Sequence, residues 1–108
     1  MLQANEVARR FGAIEQAIGQ AARLCGSAQE MPMDLKDCIS QLDQQKATVR
    51  QAIDSHDEAR IRLAVDNMES LGDRAKKACG TAARLTPEMK QAVMKVHDEL
   101  SDLKHELH

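Results

Sequence analysis

Apolar residues recur along this chain at the alternating three- and four-residue steps of an amphipathic helix, in four blocks separated by polar breaks. The first block carries Val7, Phe11, Ile14, Ile18, Ala21 and Cys25, and predicts a helix over 5–25. Gly26 stands directly after it, the position where a left-handed residue ends many helices, and Pro32 bars continuation through the linker. The second block sets Leu35, Ile39, Leu42, Val49 and Ile53 on one face and predicts a helix over 34–54, with Asp34 as its N-cap.

No glycine or proline separates the second block from the third, but the phase does. Extending the second stripe at heptad spacing lands on His56, Arg60, Leu63, Asn67 and Ser70, which are mostly polar. The apolar positions are instead Ile61, Val65, Met68, Leu71 and Ala75. Ser55-His56-Asp57-Glu58 fits the S-x-x-E capping box, so a tight turn there and a new helix over 57–79 are expected. One long helix with a stutter is the alternative. Gly80 follows Cys79 as Gly26 follows Cys25. Thr86-Pro87-Glu88 then opens a fourth helix over 87–107, with Thr as N-cap, Pro at the first helical position and an acid in the first turn.

Four helices of about 20 residues joined by short connections predict one all-α domain over 1–108, an up-down-up-down bundle of antiparallel helices. The fourth helix has coiled-coil character. Met89, Val93, Val96, Leu100, Leu103 and Leu107 form a narrow stripe at heptad spacing. With Val93, Leu100 and Leu107 at a, Lys90, His97 and Lys104 fall at e, and Ala92, Glu99 and Glu106 at g. In a parallel pair of identical helices Glu99 would face Lys104 of the second copy; an antiparallel self-pair would set like charges together. The stripe is therefore read in two ways, as an ordinary bundle face with solvated flanks or as a homodimer interface.

Composition sharpens the fold and narrows the function. The chain has one aromatic residue, Phe11, and strong helix formers dominate where strand formers are scarce. A net charge of −2, with bases and acids interspersed, argues against nucleic acid as the main partner. No apolar run is long enough to span a membrane. The N-terminal residues lack a basic region followed by an apolar stretch, so a secretory signal is not expected. Three cysteines without close spacing suit a reducing cytoplasm better than a disulfide framework.

Candidate chemistry is sparse. Alternating helix directions bring Cys25, Cys38 and Cys79 to one end of the bundle, along with Met31, Met33 and Met89. Soft sulfur ligands frame a Cu(I), Zn or redox-sensing site there, although cysteine and methionine also serve as packing residues and no C-x-x-C spacing is present. His56, His105 and His108 fall at the other end; His105 and His108, three apart, are a weak metal signal. No nucleophile elbow, phosphate loop or H-E-x-x-H motif supports catalysis, and no cofactor is expected. The reading favoured is a small cytoplasmic interaction or adaptor protein. It would use its own copy or another helical protein as partner, through a groove between helices or the stripe of helix four with Glu99 and Lys104. A thiol-based sensor on the three cysteines and a helical chaperone for an exported client are the alternatives.

Overall fold

The computed structural model describes residues 3–27, 31–81 and 85–107. Its elements are α1 (Ala4–Ser27), α2 (Met33–Asp54), α3 (Glu58–Thr81) and α4 (Pro87–Leu107), with no strand among the described residues. α1 touches α2 and α4, and α3 touches the same two, so the helices stand at the corners of a square. Late residues of one helix meet early or middle residues of its neighbour: Arg50 with Glu15, Arg74 with Asp34, Lys104 with Glu69 and Glu106 with Arg10. Neighbouring helices running in opposite directions produce this sense of pairing. The bundle measures 41 × 20 × 18 Å, and its long axis matches helices rising 1.5 Å per residue. No described helix is long and apolar enough to cross a membrane.

The core is the set of residues that the periodicity selects. Phe11, Ile14, Ile18, Leu35, Val49, Val65, Met68, Leu100 and Leu103 are fully buried. At mid-height Ile18, Ala21, Ile39, Leu42, Ala75, Val93 and Val96 line an apolar void of ≈ 10 Å³, no larger than a single water needs. The two alanines leave this gap where larger side chains would close it. Arg50 ties α1 to α2, with its guanidinium 5.3 Å from the Phe11 ring centroid and bonded to the Glu15 carboxylate. Among the large apolar side chains, Met33 and Leu63 are exposed, at 69% and 63%.

The helix boundaries correct four expectations. Gly26 and Gly80 do not stop their helices: both lie inside α1 and α3, and no glycine has a positive φ. The N-cap of α2 is Pro32, without a side-chain cap, and Asp34 sits in the first turn, where its charge suits the helix dipole. α2 and α3 are separate, as the phase break requires, and His56 makes the turn at φ 57. Histidine is among the residues that tolerate this left-handed conformation.

The capping box is not formed. Asp57 caps α3, its Oδ1 accepting the Ala59 and Arg60 amides at 3.1 and 3.3 Å. Ser55 closes α2 instead, donating to the Ala52 carbonyl at 2.6 Å. Aspartate at the residue before the helix reaches those amides directly, and a serine two positions earlier does not. Thr86 caps α4 as expected, accepting the Met89 amide at 3.2 Å.

The stripe of α4 points inward. Met89, Val93, Val96, Leu100, Leu103 and Leu107 are each no more than 3% exposed in the single chain. Pairing α4 with its own copy through these residues requires the bundle to open. Within the chain, Lys104 pairs with Glu69 of α3 at 3.1 Å.

Candidate functional site

Two places on the bundle hold polar groups that the fold does not need for its core. The first is the seam between α3 and α4. Glu69 and Asp73 are one helical turn apart on α3 and so share a face. His97 and Lys104 project from α4 toward them. His97 Nε2 lies 2.8 Å from Asp73 Oδ1, and Nδ1 lies 3.1 Å from Asp98 Oδ1. Each ring nitrogen of His97 therefore has a carboxylate oxygen within hydrogen-bond reach. Glu69 is buried, and Lys104 Nζ donates to its Oε2 at 3.1 Å. That hydrogen bond, with the charge of Glu69 behind it, raises the Lys104 ammonium above the usual lysine range.

Gly72 permits the close approach. A Cβ built on it would stand 3.4 Å from Leu100 Cδ1 and 3.7 Å from the His97 Cα. With no side chain between them, α3 and α4 come near enough for one imidazole to meet the α3 carboxylates. Glu69, Asp73 and His97 are the one group of three potential metal donors among the described residues, with donor atoms all within 4.8 Å of one another.

The second place is the groove between α1 and α4. Arg10, Ala13, Ile14, Glu99 and Asp102 line a hollow of ≈ 130 Å³. Gln20, Glu88, Gln91, Ala92 and Lys95 line another of ≈ 360 Å³ further along the same pair of helices. Small side chains at Ala13 and Ala92 hollow the surface, and charged residues of α4 rim it. Arg10 is held at one end by Glu106, 2.8 Å away. Glu99 Oε2 is wholly covered and makes no hydrogen bond within the chain. A covered carboxylate oxygen without a donor is rare in folded proteins and costs stability.

The cysteines do not converge as a ligand set. Cys25, Cys38 and Cys79 are all buried and free, and they form no group of three donors within 4.8 Å. Cys25 donates to Met31 Sδ at 3.1 Å, so the expected sulfur neighbourhood exists as a pair. Burial pushes each thiol up from its usual range, which disfavours the thiolate that metals and oxidants require. His56 is exposed in its turn and His105 is exposed in the last turn of α4, whereas His108 lies outside the described residues.

Of the residues that the sequence offered as an interface, only Glu99 lines the α1–α4 groove, and Lys104 belongs to the α3–α4 seam. Glu69, Asp73 and His97 were missed as a group. His97 had been placed on a solvated flank of α4, and the four-residue spacing of Glu69 and Asp73 was the available signal. No known protein family matches this chain, and no characterised protein or solved structure matches it either.

Proposed function

We propose that this chain is a helical interaction module that receives a helix of a partner protein along the groove between α1 and α4. The observation that carries this is the unpaired, covered Oε2 of Glu99 in the hollow beside Arg10, Ala13 and Ile14. A partner helix that lays an apolar side chain on exposed Ala13 and brings a lysine or arginine to the rim would draw the Glu99 carboxylate outward and satisfy that oxygen with a charge-assisted bond. Asp102, on the same wall, favours the same cation. The partner is therefore basic along the contacting edge. Free thiols suit a reducing compartment, so the encounter is proposed for the cytoplasm.

A photo-cross-linking residue at exposed Ala13 tests the reading, with exposed Leu63 on α3, diagonal to α1, as control. One protein trapped at position 13, absent at 63, and lost when Glu99 is changed to Lys is the expected result. Equal trapping at both positions, trapping of a second copy of this chain, or indifference to Glu99→Lys would overturn it.

A further inference from the structure

We infer that the α3–α4 seam is a binding site for one divalent first-row transition metal ion, held by Glu69, Asp73 and His97. The three donors come from two helices and meet on one side of the bundle, with donor atoms within 4.8 Å of one another. Ligands at about 2.0–2.2 Å from a zinc ion lie roughly 3.0–3.6 Å apart, so a small contraction completes the set. The contraction concerns Glu69; Asp73 and His97, hydrogen-bonded at 2.8 Å, part slightly as the ion replaces the proton between them.

The donor chemistry sets the class of ion. One imidazole nitrogen and two carboxylate oxygens suit zinc and its first-row neighbours; the absence of sulfur disfavours Cu(I), and the imidazole disfavours magnesium and calcium. The total charge of two carboxylates and a neutral imidazole balances a divalent cation.

A separate observation supports a ligand role for His97. Its other nitrogen, Nδ1, faces the Asp98 carboxylate at 3.1 Å. Metal-ligating histidines commonly donate that second N–H to a carboxylate, which fixes the ring orientation and strengthens the nitrogen that binds. Here Asp98 turns Nε2 toward α3.

Lys104 is the competitor. It occupies Glu69 Oε2 at 3.1 Å, and its side chain is 41% exposed on a flexible stem. On metal binding it swings to solvent, and the ion takes its place as the countercharge of a side chain that is nine-tenths buried. Joining α3 to α4 in this way also stabilises the folded chain by mass action.

The test is equilibrium dialysis of the reduced, chelator-stripped full chain against Zn²⁺ alone, with Co²⁺ absorption as a second measurement. One zinc per chain is expected, weakened by about tenfold or more in Asp73→Asn and His97→Gln and strengthened in Lys104→Met. Helical circular dichroism identifies any variant that has failed to fold. Cobalt bound to the wild-type chain should show visible ligand-field bands with no sulfur-to-cobalt charge transfer. Absence of stoichiometric zinc, binding unchanged in folded His97→Gln, or a thiolate charge-transfer band on cobalt would each overturn the assignment.

Discussion

Lys104 on α4 donates to buried Glu69 on α3 at 3.1 Å, and this bond neutralises the one acidic side chain that is buried among the described residues. Because the folded state raises the lysine above its ordinary value of 10.5, the pair contributes its stability fully below that pH. The contribution is lost as pH rises through the folded value. Urea midpoints of the wild type and Lys104→Gln should therefore differ at pH 9 and draw together above about pH 10.5. A difference that persists undiminished at pH 12 would contradict the pairing.

The cysteines give an earlier alkaline effect. Burial raises all three thiols above 9.0, so the unfolded chain releases their protons first and stability falls as pH climbs through the interval from 9.0 upward. Replacing Cys25 and Cys79 by alanine should flatten this decline between about pH 8.5 and 10, measured by thermal melts. Native alkylation should also be slow, and slowest at Cys38, which has no exposed surface. Rapid modification of Cys38 in the folded chain would contradict its placement.

Leu100 is fully covered and sits against Gly72. An aspartate there buries a charge in the core, so Leu100→Asp should cost more than about 4 kcal/mol and abolish the helical circular dichroism signal. A folded Leu100→Asp monomer, obtained from a wild type that sediments as a dimer, would return the α4 stripe to an intermolecular role.

Glycine inside a helix is weaker than alanine, and Gly26 and Gly80 are helical with open space around each Cβ position. Gly26→Ala and Gly80→Ala should each stabilise the chain by about 0.5–1 kcal/mol in urea unfolding. Had either residue been a left-handed stop, the same change would destabilise. The sign of the effect decides between the two.

These glycines also mark where the sequence could be read and where it could not. The core face of every helix was legible because burial enforces period: the shift from the Ile53 phase to the Ile61 phase located the α2–α3 turn without a glycine or proline. Thr86-Pro87-Glu88 was legible because its three residues agree on one helix start. Gly26, Gly80, Asp34 and Ser55 were misread because each fits a cap locally, and the competing cap at Asp57 or the continuation of the helix depends on backbone geometry one residue away. The seam of Asp73 and His97 was less accessible still. Its residues are 24 apart, and only the packing of α3 on α4 at Gly72 brings them together. The inward turn of the α4 stripe likewise depended on which helices flank it, information that its own heptads do not carry.

Glu99 offers the most direct test of the proposed function, since its covered oxygen is kept at a cost to the isolated chain. Replacing it with methionine, similar in length and apolar, removes the unpaired oxygen while filling the same space. The decisive measurement is the unfolding free energy of Glu99→Met against the wild type in urea, without partner. A gain of about 1 kcal/mol is expected, as for a residue retained for binding rather than for the fold. A loss of about 1 kcal/mol or more would show that Glu99 serves the bundle itself, and would contradict a partner-binding role for the α1–α4 groove.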